Sequence, residues 1–502
     1  MNRTKYFFYN SISTAFYQII VMIAGLIIPR VMLMFYGSEI NGLVSSINQF
    51  VVYFNLVEAG LSGAAIYALY KPLAENDHKA INGVVAAAKK FYIQSGYIFI
   101  SLTIGLAIIY PVMVKSNKIS QIDIALLVLI FGINGALEFF TLAKYRVLLT
   151  ADQKTYVISA ASIVYIIVNT IIVVVMAIMG INIVVQRFVA LLSIFLRSFI
   201  LMIYVKRKYR YLLFNETPNF QCLDKRWDAL YLQILGAVQT GAPVVILTIM
   251  ANDLKIVSVY SIYFMVAASL NGLLSIFVNG VSASFGDVIA KGEKATLQKT
   301  YGEFEFLYYG LLSIFYSVAF VTIIPFIKIY TSGIKDINYN LPVIGFLFVL
   351  NGLLYNIKTP QGMLVIASGM FKETRMQSTI QALIIVIVGL VLTPVLGIYG
   401  VLSASILSNL YRVIDLVIYI PRKLTNLPVK STVYRIIRIF LSVDLIILPF
   451  VVINYYISNY LTWFVLSCNV MLYSFIVVGF TGFLFDKKEV NNVLSRFKLL
   501  VK

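Results

Sequence analysis

Charged residues are scarce in this sequence: only 12% of its 502 residues are Asp, Glu, Lys or Arg. A soluble protein carries roughly twice that charged fraction. Hydrophobic residues make up 60% of the chain, and its mean hydropathy is +0.90. The composition therefore excludes an ordinary soluble globular protein and indicates a chain that resides in a membrane.

Side chains for metal and redox chemistry are also nearly absent, with two Cys and one His in the whole chain. Cys222 lies in a polar stretch and Cys468 in an apolar run, so no disulfide is expected. His78 alone cannot form a metal site. No Walker-type phosphate loop is present, so ATP is not the expected energy source. We expect no cofactor, and we expect transport energy from an H⁺ or Na⁺ gradient or the membrane potential.

Long apolar runs recur from end to end, and each is long enough to cross a hydrocarbon core of about 30 Å as a helix. The short alternating segments of a membrane barrel are missing. The first run, from Ile12, is expected to be a span and not a cleaved signal peptide. We predict an all-α polytopic membrane protein with about fourteen spans, at 12–35, 42–70, 91–114, 122–149, 156–179, 183–205, 229–250, 257–288, 304–330, 341–369, 378–396, 398–420, 433–457 and 460–485.

The 40 Lys and Arg residues predict the orientation of these spans. If the N-terminus is cytoplasmic, most of them fall in cytoplasmic segments, and the outer loops hold Lys115, Lys118, Lys255, Lys328 and Lys335. Cytoplasmic loops of membrane proteins are the basic ones. We therefore predict that both termini are cytoplasmic. The net charge of +19 follows from this topology, so no nucleic-acid partner is expected.

The chain matches itself weakly at shifts of about 214 to 218 residues, as in Pro29 with Pro243 and Lys154 with Lys372. An offset of six spans keeps the same membrane orientation, which predicts a parallel repeat. We predict an N-terminal lobe at 1–205 (spans 1–6), a cytoplasmic linker at 206–228 and a C-terminal lobe at 229–420 (spans 7–12). Spans 13 and 14 and a cytoplasmic tail occupy 421–502. Two lobes in one chain make a monomer sufficient.

Two segments carry a family resemblance: IPRVMLMFYGSEINGLVSSINQFVVYFNLVEAGL (28–61) and LYKPLAENDHKAIN (69–82). They resemble bacterial polysaccharide-unit flippases of the multidrug/oligosaccharidyl-lipid/polysaccharide exporter superfamily. The resemblance implies transfer of undecaprenyl-pyrophosphate-linked oligosaccharide repeat units from the inner to the outer leaflet of the bacterial cytoplasmic membrane, for capsule or surface-polysaccharide assembly. It also implies a V-shaped two-lobed cavity. The implied partners are the lipid-linked substrate, membrane lipids, a polysaccharide polymerase and other assembly proteins.

Cations within the spans are candidate substrate ligands, because a charge at mid-bilayer costs about 3 to 10 kcal/mol or more and therefore usually faces protein or water. Pro29 is expected to bend the first span, so that Arg30 offers its fork of donors to a phosphate oxygen. The alternative is that Arg30 extends to the outer headgroups. Lys358, in the sequence NIKTPQGM, interrupts the tenth span. It either contacts substrate in a cavity or reaches the cytoplasmic interface.

The remaining candidates include acidic residues. Arg412 and Asp415 share a helix face, so they form an internal ion pair, or Arg412 meets the substrate when the pair opens and Asp415 takes part in ion coupling. Arg197 in the sixth span either lines the cavity or packs. A carboxyl at membrane depth can exchange a proton near neutral pH, which makes Glu58 a candidate coupling residue. Its alternative is an interhelical hydrogen bond. Glu138 is a similar, weaker candidate.

Other transport functions remain open at this stage. A lipid II flippase would differ only in the sugar, and a multidrug/ion antiporter belongs to the same superfamily. Exporters of cationic drugs rely on acidic cavity residues, whereas the candidates here are mainly Arg and Lys. A membrane polysaccharide polymerase would need a long external loop, which the sequence lacks, so we do not expect an enzyme. Asp287 and Glu303, near cytoplasmic helix ends, are expected to be solvated.

Overall fold

The computed structural model describes residues 3–213, 216–218, 226–251, 253–452 and 457–501. These residues form helices joined by turns and short loops, with no strand among them. The chain divides into two compact units, Met1–Ser261 and Ile262–Lys502. The lobe boundaries at 205 and 229 stay a prediction, and part of the expected linker, including Cys222, lies outside the described residues.

Ten helices and the start of an eleventh belong to the first unit. They are α1 (Arg3–Tyr36), α2 (Ser38–Phe54), α3 (Leu61–Glu75), α4 (His78–Met113), α5 (Gln121–Leu137), α6 (Ala143–Ala151), α7 (Thr155–Ile178), α8 (Ile183–Leu191), α9 (Ser193–Lys208), α10 (Arg226–Met250) and α11 (Leu254–Ala290). A 3₁₀ turn at Asn55–Glu58 follows α2, and a π-helical turn at Glu138–Leu142 joins α5 to α6. Helix α11 continues into the second unit.

The second unit contains the remaining helices. They are α12 (Lys294–Tyr330), α13 (Pro342–Ile357), α14 (Thr359–Ser368), α15 (Arg375–Leu396), α16 (Ile398–Ile420), α17 (Val429–Val452), α18 (Tyr460–Phe485) and α19 (Lys487–Val501). A second π-helical turn, Pro421–Thr425, extends α16.

Thirteen helical segments of the described chain are long and apolar enough to cross a membrane. The expected all-α polytopic architecture is therefore confirmed. Helix α17 corresponds to the predicted span 433–457 and has 24 residues, but it carries Arg435, Arg438 and Asp444 and is not one of the thirteen. Residues 453–456 of that predicted span lie outside the described residues.

The second predicted span, 42–70, is not one continuous helix. Helix α2 already begins at Ser38 and gives way at Asn55 to the 3₁₀ turn. Gly60 then adopts a left-handed conformation with φ 79° before α3 begins. Such a φ is accessible to glycine without steric cost, which explains why the chain turns at this residue. Glu58, expected midway down a helix, lies instead in the break.

Polar and small residues hold the helices of the first unit together. Helix α2 packs against α10, and Ser46 on α2 accepts hydrogen bonds from Tyr110 and Thr248, both at 2.8 Å. Gly42 permits a close approach, because a Cβ there would lie 1.8 Å from the carbonyl oxygen of Leu254. Along the same face of α2, the Asn41 side chain donates a 2.7 Å hydrogen bond to α11. In these contacts each buried polar side chain has a hydrogen-bond partner, as the interior of a membrane requires.

Helix α12 is the centre of the second unit, and both α17 and α18 pack along it. One sequence expectation is wrong here: Glu303 is only 3% exposed, because it lies in a buried stretch of α12 beyond the exposed first turn. Asp287 does lie at the surface, where its carboxylate accepts a 2.7 Å hydrogen bond from Lys291. Helices α15 and α16 pair as a hairpin around Gly397, whose φ is 56°.

Candidate functional site

The π-helical turn of the first unit places an acidic side chain between two arginines. Glu138 Oε1 accepts a 2.9 Å bond from Arg197 on α9, and its Oε2 lies 3.3 Å from Arg146 on α6. We call these three residues the Glu138 cluster. Thr141 bonds back to the Leu137 carbonyl at 2.6 Å, within the same irregular turn. Turns of this kind inside α-helices are frequent at functional sites.

Two further groups surround the Glu138 cluster. Glu58, in the break after α2, is close enough for the charges of Arg146 and Glu138 to act on it. The ring of Tyr165 lies 5.9 Å from the Arg197 guanidinium. The structure thus brings together three residues that the sequence marked separately, namely Glu58, Glu138 and Arg197. It also adds Arg146, which the sequence analysis did not single out.

A cleft of about 510 Å³ opens beside this turn. Its polar wall includes Thr141 and Ser198, whose hydroxyls are 2.8 Å apart, together with Lys144. The other lining residues are largely aromatic or aliphatic, such as Phe140 and Phe199. A cleft with one basic and three hydroxyl-bearing side chains, Thr141, Tyr145 and Ser198, on an otherwise apolar wall suits an amphipathic ligand.

The second unit contains a buried lysine at the junction of α13 and α14. Lys358 is 8% exposed, and its Nζ donates a 2.9 Å hydrogen bond to Asn409 Oδ1 on α16. The same ammonium lies 4.8 Å from the centre of the Tyr355 ring. Within the described ranges, no carboxylate lies within 4.0 Å of Nζ. Lys358 is therefore a buried basic side chain held by neutral partners and does not extend to a surface.

One turn further along α16, Arg412 forms the expected ion pair with Asp415 at 2.5 Å. The charge of Arg412 also acts on Lys358. We call Lys358, Asn409, Arg412 and Asp415 the Lys358 cluster. With two basic side chains and one carboxylate, this cluster has more basic than acidic groups in a region shielded from water, where electrostatic forces are strong.

Arg30 lies elsewhere in the first unit. Helix α1 continues without a break through Pro29 and Arg30 to Tyr36, and Arg30 is half-buried. Near the end of α1, Arg187 donates to the Met32 sulfur at 3.1 Å. The role of Arg30 as a phosphate ligand stays a prediction.

Sequence reasoning missed a second buried charge network, which lies in the second unit. Glu305 on α12 is fully buried, and Arg435 on α17 binds it at 2.8 Å. Arg435 also binds Asp486 at 2.7 Å and lies 3.6 Å from Glu489. We call these four residues the Glu305 cluster. The signal in the sequence was a pair of glutamates, Glu303 and Glu305, at the start of the long apolar run of α12, and arginines three apart at 435 and 438.

An apolar cleft of about 530 Å³ lies along α12 in the same unit. Its walls come from α11, α12, α17, α18 and α19, and include Phe277, Leu307, Phe475 and Val490. Arg438 is its one charged lining residue among those described, with its guanidinium 4.2 Å from the Phe306 ring. The shape and lining suit a hydrocarbon chain.

No protein-family model and no curated protein sequence matches this chain. Solved structures do. A lipid II flippase, MurJ, in an inward closed conformation aligns with a TM-score of 0.67 at 14% identity, over 96% of this chain and 99% of that one. An inward-facing multidrug resistance MATE family transporter of the MOP superfamily aligns with a TM-score of 0.62 at 12% identity, over 86% and 98%. The MATE multidrug transporter DinF-BH, solved with a bound ligand, gives 0.60 at 14%, over 85% and 98%. At such identities the likeness shows the fold, and this chain has the fold of transporters of the MOP superfamily.

Proposed function

We propose that this protein is a flippase that moves undecaprenyl-pyrophosphate-linked oligosaccharide repeat units from the inner to the outer leaflet of the cytoplasmic membrane. Transfer proceeds by alternating access and serves capsule or surface-polysaccharide assembly. The shared fold supports a transporter of this general kind, because one of the similar structures is named as a flippase of a lipid-linked sugar.

The observation that carries the proposal is the excess of basic over acidic side chains in the Lys358 cluster. Lys358 is buried against neutral partners. Among the described residues, Asp415 is the one carboxylate at ion-pair distance from Arg412. A buried amine of this kind is stable as a cation only when an anion compensates it. The diphosphate of a polyprenyl-linked sugar supplies such an anion, and it would bind Arg412 with charge-assisted hydrogen bonds.

Other parts of the substrate have matching surfaces. The apolar cleft along α12 suits a stretch of the polyprenyl chain, which would exchange contacts with lipid for packing against the cleft walls. The Glu138 cluster, with Glu58 beside it, offers carboxyl groups for coupling to an H⁺ gradient. Asp415 is a third candidate for coupling, since its pair with Arg412 would open when a phosphate binds.

Two related functions compete with this proposal. A lipid II flippase would use the same diphosphate chemistry, and a multidrug/ion antiporter would share the fold, as the similarity to multidrug transporters illustrates. A cationic drug, however, would be repelled by the excess charge of the Lys358 cluster. A polysaccharide polymerase is disfavoured because the similar structures are transporters.

The test is a substrate panel with the purified protein in sealed vesicles. Transfer between leaflets is measured for a fluorescent polyprenyl-pyrophosphate oligosaccharide and for fluorescent lipid II, and uptake is measured for the cationic dye ethidium. We expect the oligosaccharide lipid to be transferred fastest and ethidium not to be transported. Faster transfer of lipid II would replace the proposed substrate with lipid II. Gradient-driven transport of ethidium alone would reject the flippase proposal in favour of drug export.

A further inference from the structure

Glu138 fills the space between two cationic side chains of the first unit. Each of its carboxylate oxygens faces a different guanidinium, at 2.9 Å for Arg197 and 3.3 Å for Arg146. The Arg197 side chain is only 11% exposed, whereas that of Glu138 is 38% exposed. The carboxylate is therefore the accessible partner of an arginine that is itself held in place.

The two arginines have more donor capacity than Glu138 uses. The Arg197 Nε is buried and has no hydrogen-bond acceptor in the described part of the chain. A guanidinium carries five N–H donors in a planar fork. A diphosphate offers more acceptor oxygens and more negative charge than one carboxylate, so it matches this pair of arginines better than Glu138 does.

We infer that Glu138 is an internal substitute for the substrate: the diphosphate displaces it from Arg146 and Arg197, and the displaced carboxylate then binds a proton. This inference rests on the proposed function and adds a second phosphate subsite with a coupling step. No covalent bond of the substrate changes. The carboxylate takes one proton from solution when the phosphate arrives, and returns it when the phosphate leaves and the ion pairs re-form.

The surroundings favour proton uptake after displacement. Glu138 loses its contacts with two positive charges and gains a negative phosphate as a neighbour, while the negative charge of Glu58 already acts on this region. Titratable or charged groups come from every side of the cluster, and they are Glu58 from the break after α2, Tyr92 from α4, Lys144 and Arg146 from α6, Tyr165 from α7 and Arg197 from α9. Helix α5 adds the neutral Asn134.

The experiment measures binding and proton uptake together. Farnesyl pyrophosphate is titrated calorimetrically into the full-length protein in detergent, in buffers of different ionisation enthalpy. For the wild type we expect an uptake of about one proton per ligand beyond that of Glu138→Gln. The ligand's own titration is common to both proteins and cancels in the difference. Glu138→Gln should bind about fivefold more tightly, because a neutral amide competes less strongly than a carboxylate for the arginines.

Two further variants separate this role from a structural one. Arg146→Gln should bind farnesyl pyrophosphate about tenfold more weakly, since one charge-assisted contact is lost. Asp287→Asn, which alters an exposed ion pair outside the cluster, should behave as the wild type does. If Glu138→Gln does not fold, proton uptake is compared between the wild type and Arg146→Gln, which should take up fewer protons.

Equal proton uptake by the wild type and Glu138→Gln, or weaker binding by Glu138→Gln, would overturn the inference. So would equal affinity and proton uptake in Arg146→Gln and the wild type. These failures are distinct from failure of the proposed function. If vesicle transfer of the oligosaccharide lipid succeeds while proton uptake does not depend on Glu138, only the inference that the Glu138 carboxylate occupies the place of the substrate diphosphate is rejected. If transfer of that lipid fails, the function itself is rejected.

Discussion

Arg435→Gln is the substitution whose effect on stability can be worked out most completely. Arg435 binds the fully buried Glu305 at 2.8 Å and also donates to the Gly302 carbonyl at 3.0 Å. Tyr301 and Gln361 donate hydrogen bonds to the other oxygen, Glu305 Oε1, at 3.0 and 2.9 Å, but both donors are neutral. Without Arg435, Glu305 would be a buried carboxylate with no cation at ion-pair distance among the described residues.

Breaking a buried ion pair from one side costs about 3–5 kcal/mol. At roughly 2–4 °C per kcal/mol for a unit of about 240 residues, the apparent melting temperature should fall by at least about 6 °C. Asp486 retains partial exposure and can be rehydrated, so most of the loss is assigned to Glu305. The double variant Glu305→Gln/Arg435→Gln should be more stable than Arg435→Gln alone, because it leaves no unpaired charge on α12.

The assay is thermal unfolding of detergent-purified protein, followed by loss of the monodisperse peak in size-exclusion chromatography. Lys291→Gln is the matched control, because it also removes a cation from an ion pair, but from one at the surface. Exposed pairs contribute little to stability, so this variant should melt as the wild type does. A melting temperature for Arg435→Gln within about 1 °C of the wild type would refute the assignment of Glu305 as a charged, Arg-dependent carboxylate.

Three further predictions concern topology and transport. Arg30→Ala should reduce substrate transfer by more than about tenfold at matched protein levels, and Arg30→Lys should be partly active because Lys lacks the bidentate fork; near-normal transfer by Arg30→Gln would leave only an interfacial arginine. Glu58→Gln should weaken the dependence of transfer on the pH gradient while the protein still folds, and an unchanged pH response would remove Glu58 from the coupling mechanism. Cys222, in a Cys468→Ser background, should resist membrane-impermeant thiol reagents in intact cells, because its segment is predicted to be cytoplasmic; ready labelling would overturn the orientation.

The membrane architecture could be predicted from the sequence because apolar run length is a local property. Thirteen of the fourteen predicted spans correspond to the membrane-length helical segments, and the remaining one corresponds to α17. The break after α2 was missed because the apolar run continues through it. The turn depends on the left-handed Gly60, and a single glycine in an apolar stretch does not by itself predict a break.

The candidate charges were found, but their partners were not. Glu305 and Arg435 are 130 residues apart in the chain, and no local pattern joins them. Arg146 was not singled out, although its guanidinium faces Glu138. The Arg412–Asp415 pair was anticipated because its partners are three residues apart on one helix. Pairing within a helix is local, whereas pairing between helices depends on packing that the sequence pattern does not specify.

The most direct test of the central claim compares Lys358→Met with the wild type in the vesicle transfer assay. Met keeps the length and apolar character of the side chain, so the protein should fold with equal or greater stability after losing a buried cation. The account predicts that transfer of the polyprenyl-pyrophosphate oligosaccharide falls more than about tenfold, while Lys291→Met, which removes an exposed lysine, transfers normally. Normal transfer by a well-folded Lys358→Met would contradict the claim that the buried cations of this cluster bind the substrate diphosphate.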